Sequence, residues 1–381
     1  MSKRAGTGVA IVGVGNTNYA ALYRDRTPRS AESLGVDALK KALEDAGLSK
    51  GDLDGLITAR ISDYNGFATL IGTPQLRVVN AVEGSGRMAG VAVQHAVALI
   101  QSGRASTIAL VYGNNGRSAG ATYGGDYGVG NVKYDWAYGM TSPGASVALM
   151  YQRYRQLYRA PDDALAPIAI SNRRNAEVNP EAAMRKPLSR EEYINSRYVA
   201  EPLRLYDYCM INDGGVAIIL TSVDRAKELK SVPVEIMSMG SSSNLTNYYT
   251  VTDLFANGSR QAAAQVFGEA GLSPKDMDVV QIYDNFTPIV LFSLESFGFA
   301  AEGEGWKWIR DGRIEREGKL PINTSGGHTS EGYMQGWALQ VEAVRQLRGD
   351  AGERQVKNAE FAQYICVSPI ITSQIFRRVE K

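Results

Sequence analysis

Apolar positions follow two spacings in turn. Val9–Val14 (VAIVGV) is an unbroken apolar run of strand length and predicts a buried strand. Ala31–Ala46 carries Leu34, Val36, Leu39 and Leu43 at helical spacing and stops at Gly47, a good C-terminal cap. Leu53–Ala59 predicts a second strand. Val78–Ala81 is a third apolar patch, leading into Gly84-Ser85-Gly86. A helix is predicted from Arg87 to Ser102, then a buried strand at Ser106–Tyr112 (STIALVY). Strands alternating with helices indicate a layered α/β fold.

The pattern then returns. Residues 46–54 read AGLSKGDLD and residues 270–278 read AGLSPKDMD. Each copy follows a helix and precedes a strand, GLITA at 55–59 and VVQIY at 279–283. More weakly, Val79-Asn80, a Gly-Ser-Gly turn and a long helix match Ile322-Asn323, Gly326-Gly327 and a helix predicted over Tyr333–Leu347. A self-match of such long period indicates two half-molecules of like topology rather than a solenoid. We therefore divide the chain into halves 1–223 and 224–381, stacked sheet–helix–sheet. An insertion over 114–213 is rich in Gly and Tyr at 120–139 and is expected to form a lid or substrate wall. Its cluster Tyr123, Tyr127, Tyr134, Trp136 and Tyr138 suits either a wall for a large apolar substrate or a dimer interface.

Composition narrows the chemistry. The 381 residues are 44% apolar and 21% charged, enough to bury a large core. Lys plus Arg (41) balances Asp plus Glu (40), so no charge excess points to nucleic acid or an anionic membrane. No clean apolar stretch of about 18 residues predicts a membrane span, and the N-terminus lacks a signal-peptide core. Two Cys, at 209 and 366, exclude a disulfide framework and a Cys-rich zinc site. They suit a reducing compartment, and a cytoplasmic protein is expected. Two His, at 95 and 328, leave little material for a metal site, so none is expected on this chain. Acid–base chemistry then falls to carboxylates, lysines or the twenty tyrosines. Gly13-x-Gly15 resembles a dinucleotide fingerprint only faintly, because the third Gly is missing.

Four blocks carry a family resemblance: VNAVEGSGRMAG (79–90), YCMINDGGVA (208–217), YDNF (283–286) and NTSGGHTSEGYMQG (323–336). In this order, and with the duplicated halves, the chain resembles the thiolase superfamily over nearly its whole length. The nearest branch is that of the sterol-carrier-protein thiolases and lipid-transfer-protein aldolases. The resemblance implies a thiolase fold, two βαβαβαββ halves in α/β/α/β/α layers. It also implies acyl-CoA as substrate, a homodimer, and no cofactor on this chain.

The blocks depart from thiolases where thiolase chemistry happens. Glu83 stands where the first block of the family has its nucleophilic Cys, and a carboxylate there cannot form the usual thioester intermediate. Tyr283 stands at the leading Asn or His of the third block, and Tyr333 at the His of Gly-His-Pro in the fourth. His328 lies five residues too early to replace that His. The Tyr/Tyr pair resembles the steroid side-chain-cleaving aldolases. The resemblance implies retro-aldol cleavage of a β-hydroxyacyl-CoA by two tyrosines, with a zinc-ribbon/OB-fold partner protein. Phenols suit this chemistry, since a Tyr hydroxyl both donates and accepts, with a reference pKa of about 10 that neighbours are able to lower. We assign Tyr333 to the β-hydroxyl proton and Tyr283 to the enolate; the reverse assignment satisfies the same chemistry.

Other residues take supporting readings. Glu83 reads as a charge favoured at a helix N-terminus, or as substrate shaping, ahead of direct catalysis. Asp284 is placed to tune Tyr283 or to face structure. Asn285 occupies a position where some relatives carry a catalytic Cys. His328 is read as a substrate contact or as structure. Cys366 lies near the second Cys of thiolases but reads first as a buried residue. Backbone N–H groups near Gly84 and Ser368 are candidate donors to the thioester oxygen. Gly84, Asn323, Gly326 and Gly327 are expected to bind substrate. The readings of other classes are a non-catalytic acyl-CoA-binding subunit of a heteromeric complex, and an atypical thiolase or acyltransferase.

Overall fold

A computed structural model describes residues 6–25, 27–73, 75–82, 88–122, 140, 142–245 and 251–380. The strands of its main sheet are β1 (Val9–Asn16), β2 (Gly55–Ala59), β3 (Val78–Val82), β4 (Thr107–Asn114), β5 (Gly214–Ser222), β6 (Val234–Ser243), β7 (Val279–Ile282), β8 (Phe361–Cys366) and β9 (Ile370–Arg378). They form one nine-stranded sheet in the order β3-β2-β4-β5-β1-β6-β9-β8-β7. The two halves of this order mirror each other. In each, the first strand lies beside the last (β1 beside β5, β6 beside β9), and an isolated bridge from Val280 to Ile322 stands where β2 pairs with β3. In the sheet, β1 pairs with β6 at Ala10–Glu235 and Ile11–Val234, which makes the two expected sheets continuous at a narrow seam.

The layers follow from period-two alternation in strands buried on both faces. Helix α1 is Tyr19–Arg24, α2 is Ala31–Ala46 and α3 is Met88–Gln101. Helix α4 is Pro143–Tyr158, α5 is Ala166–Glu177, α6 is Ala256–Ala270, α7 is Thr287–Ser296 and α8 is Trp337–Arg348. Ile108, Leu110, Val216 and Ile218 face inward onto α3 and α8, together with Ile236, Ala362 and Phe376 of the second half. Ala109, Val111, Ala217 and Ile219 face outward onto α2. Val280, Ile282, Ile365 and Ile371 face outward onto α6, α7 and the inserted helices. This is the expected α/β/α/β/α stack. Gly13 and Gly15 serve it, because a Cβ on either would lie 2.3 Å from a backbone oxygen of α2. That close helix–strand approach, not nucleotide binding, accounts for the Gly-x-Gly.

The repeat holds at atomic detail. Gly47 and Gly271 end α2 and α6 in the left-handed region, at φ +70° and +67°. Ser49 then donates from N and Oγ to Asp52, and Ser273 donates likewise to Asp276. Asp54 accepts the N–H groups of Ser106 and Thr107 where β4 begins. Asp278 accepts those of Glu360 and Phe361 where β8 begins.

One element differs from expectation. The helix predicted over Tyr333–Leu347 starts at Trp337. Gln335 and Gly336 take φ values of +51° and +90°, so the right-handed helix cannot extend back through them. Tyr333 therefore sits on a loop.

Candidate active site

Two chain segments meet behind the end of β7. Tyr283, the residue after β7, donates its N–H to Ile365 O at 2.8 Å, which anchors the strand end. The loop 323–336 comes back over it. Tyr333 donates its N–H to Asn212 Oδ1 at 2.7 Å. These two anchors place the phenolic oxygens of Tyr283 and Tyr333 2.8 Å apart, in a hydrogen bond. Tyr283 is 3% exposed, whereas Tyr333 is half-buried. Burial, with the neighbouring Tyr333, pushes the Tyr283 phenol well above the ordinary tyrosine value. The neighbours of Tyr283 thus do not lower its phenol, because low dielectric disfavours the phenolate.

His328 and Asp284 lie beside the pair, both fully buried. His328 Nε2 accepts the Gly336 N–H at 3.0 Å. Its Nδ1 is 3.3 Å from Asp284 Oδ1, and that same oxygen accepts the His328 N–H at 2.9 Å. Burial pushes the imidazole down to about 3. Burial raises the Asp284 carboxyl to about 7, against the pull of backbone N–H donors and of Asn172. His328 is therefore neutral and closed off from solvent.

The insertion supports this loop by a route the sequence reading missed. Asn172 Nδ2 donates to Asp284 Oδ2 (2.7 Å) and Thr329 Oγ1 (2.9 Å). Asn175 Nδ2 donates to the carbonyls of Ile322 and Asn323. Asn179 Nδ2 donates to Ser325 O and Glu331 Oε1. The three asparagines recur along α5 and its end with helical spacing, a signal visible in SNRRNAEVN (171–179).

The remaining expected site residues are distributed as follows. Glu83, Gly84 and the aromatic cluster at 123–138 lie outside the described residues. Asn285 is partly exposed; its backbone O accepts from Cys209 N and its Oδ1 from Phe286 N. Cys366 is fully buried, with Sγ 3.8 Å from Ser368 Oγ, and the Ser368 hydroxyl is used on Ile370 O at 2.6 Å. Asn323, Gly326 and Gly327, expected to bind substrate, have structural work in the fold. Asn323 is buried and its amide both donates to and accepts from the Ile282 backbone. A Cβ on Gly326 would meet Ala176 at 2.8 Å, and one on Gly327 would meet Asp284 Oδ2 at 2.4 Å. They let the loop pack against α5 and Asp284. Among the described residues, no group of three or more His, Cys, Asp or Glu could hold a metal ion. No described helix is long and apolar enough to cross a membrane.

Comparison with known proteins shows the family of the chain. A family model for the thiolase C-terminal domain matches residues 240–376. A 17-hydroxy-3-oxo-4-pregnene-20-carboxyl-CoA lyase of Mycobacterium tuberculosis is 35% identical over 359 residues, covering 89% of this chain and 91% of its own. A steroid side-chain-cleaving aldolase of Thermomonospora curvata is 34% identical, over 89% of this chain and 90% of its own. The chain belongs to the thiolase superfamily, with the steroid side-chain-cleaving aldolases. A solved Ltp2-ChsH2(DUF35) aldolase superposes with a TM-score of 0.90 at 31% identity, over 99% of each chain. Human mitochondrial 3-ketoacyl-CoA thiolase shares the fold alone, with a TM-score of 0.71 at 15% identity. Within the superfamily, this chain sets two hydrogen-bonded phenols at the third and fourth motif blocks.

Proposed function

We propose that the chain cleaves the Cα–Cβ bond of a bulky β-hydroxyacyl-CoA, with a steroid side chain as the first substrate class. The products are a ketone and a short, propionyl-like acyl-CoA. The observation that carries this reading is the 2.8 Å hydrogen bond between the two phenols. It joins them into a path for one proton.

The β-hydroxyl is a weak acid, so its proton leaves as the Cα–Cβ bond breaks rather than before. That proton passes to Tyr333 Oη, and the Tyr333 proton passes to Tyr283 Oη. Tyr283 gives its own proton to Cα of the departing thioester enolate. One proton moves from oxygen to carbon, the C–O bond becomes a carbonyl, and both phenols end neutral. Tyr333, the more exposed of the two, meets the hydroxyl. Tyr283, kept protonated by burial, faces the enolate. The reaction as written needs no acyl-enzyme, oxidant or cofactor on this chain. The names of the relatives support steroid as the acyl group.

The rest of the assembly belongs to the same proposal. The chain, built of halves 1–223 and 224–381, forms a homodimer in the cytoplasm, with the insertion 114–213 as substrate wall. A zinc-ribbon/OB-fold protein binds it and carries any zinc, a reading supported by the pairing in the Ltp2-ChsH2(DUF35) structure.

The test is incubation with a β-hydroxyacyl-CoA bearing a tertiary alcohol, with and without the zinc-ribbon/OB partner, followed by mass spectrometry. Ketone and short acyl-CoA in equal amounts are expected. Binding without turnover would make the chain a non-catalytic acyl-CoA-binding subunit. CoA-dependent cleavage of a β-ketoacyl-CoA would make it a thiolase.

A further inference from the structure

We infer that His328 is a positioning residue: a neutral imidazole, held by the Gly336 N–H and set against both phenol rings, that keeps the two tyrosine hydroxyls at bonding distance. The inference rests on the retro-aldol reading for its kinetic consequence, but not for its geometry.

The tautomer is fixed by the contacts. Nε2 accepts a hydrogen bond from Gly336 N, so it carries no hydrogen. The proton of a neutral ring then sits on Nδ1, which lies 3.3 Å from Asp284 Oδ1 without the alignment of a hydrogen bond. Asp284 is in turn held by Asn172 Nδ2 at 2.7 Å and by the His328 N–H at 2.9 Å. Nε2 is thus engaged by a backbone group that does not react, and the side chain is 0% exposed.

The ring meets both phenols edge to face. Its centroid is 4.8 Å from that of Tyr283 at 77°, and 5.1 Å from that of Tyr333 at 88°. The two phenol rings are 6.3 Å apart at 69°. The three rings close a triangle, and edge-to-face contact is the favoured arrangement for such rings. The polar contacts have the same logic along the chain. Asp284 directly follows Tyr283, and Gly336 lies three residues after Tyr333. His328 therefore ties the end of β7 to the loop of Tyr333 at the point where the hydroxyls meet. Without the imidazole both phenols lose a shared wall and the Gly336 N–H loses its acceptor, while the backbone N–H of residue 328 still bonds Asp284.

The test compares His328→Ala and His328→Gln with wild type in the presence of the partner chain. His328→Gln is the second variant because its Oε1 is able to accept the Gly336 N–H if the alanine variant does not fold. Far-UV circular dichroism confirms folding. A misplacement of about 1 Å costs on the order of a hundredfold in rate, so kcat is expected to fall by about that factor while KM changes by less than about threefold. Added imidazole is expected to restore part of the kcat of His328→Ala in a saturable way. Unchanged kcat in a folded variant, or a raised KM with unchanged kcat, overturns the inference; the latter marks a substrate contact.

A second readout is independent of turnover. With ring-labelled tyrosine, the 13Cζ resonances of Tyr283 and Tyr333, assigned from Tyr283→Phe and Tyr333→Phe, are expected to move in His328→Ala. Unmoved resonances overturn the inference whatever the rates. Moved resonances in a protein whose wild type turns over no acyl-CoA would sustain the positioning role and sink the retro-aldol reading.

Discussion

Burial, rather than charge, sets the protonation of the groups around the tyrosine pair. Tyr283 keeps its proton because the phenolate would be desolvated, and its folded value lies well above the ordinary one. Tyr283→Phe should therefore remove no phenolate absorbance that develops near pH 10 in the native protein. Loss of such a signal in a spectrophotometric titration would contradict the assigned environment. In the reaction, Tyr283→Phe and Tyr333→Phe should each lower kcat by on the order of 10²–10⁴-fold, the range for removing a positioned acid or base. Circular dichroism should stay native, and near-wild-type turnover in both variants would sink the scheme. These two tyrosines were legible in the sequence because they occupy motif positions where thiolases have other chemistry. The role of Asn323, Gly326 and Gly327 was not legible. A motif position shows that a residue is near the reaction centre, not whether its side chain is used on the backbone behind it.

At the level of elements, apolar periodicity located strands and helices well wherever caps agreed with it. Ser30 and Gly47 bound α2 at both ends, and its observed span is the predicted one. The period failed at α8, where positive φ values at Gln335 and Gly336 free Tyr333 from the helix. A hydrophobic pattern carries no mark of that backbone turn. The insertion was expected as a wall, but its asparagine ladder on α5 also braces the loop 322–331. The sequence repeat has a mechanical counterpart that gives a paired prediction. Asp54 and Asp278 each accept two backbone N–H groups where β4 and β8 begin. Asp54→Ala and Asp278→Ala should each destabilise by about 1–3 kcal/mol in urea unfolding, the cost of stranding such donors. A loss confined to one copy would show that the two halves are not equivalent at this joint.

For the whole molecule, the same desolvation makes folding depend on pH. Burial raises Glu331 to about 8 and Asp284 to about 7. A carboxyl whose value rises on folding binds more protons in the native chain than in the unfolded one. Its stabilisation is full at low pH and is lost as pH rises through the folded value. His328 has the opposite sign, but its effect is confined to pH below its unfolded value of about 6.5. Between about pH 6.5 and 8 the carboxyls act alone, so the melting temperature should fall as pH rises. Glu331→Gln should flatten the slope by up to about 1.4 kcal/mol per pH unit. An unchanged slope would mean that Glu331 is not buried as described. Duplication and layering were legible from the repeated AGLS segment. The seam that makes the sheet continuous was not, because two residue pairs between β1 and β6 leave no periodic signature.

The central claim is that two hydrogen-bonded phenols relay one proton to carbon without a covalent acyl-enzyme. Turnover of a tertiary β-hydroxyacyl-CoA in D2O, read by mass spectrometry of both product and intact protein, tests it most directly. The account predicts one deuterium on Cα of the released acyl-CoA and no mass added to the chain. Release without deuterium, or an acyl adduct on Cys209 or Cys366, would contradict it.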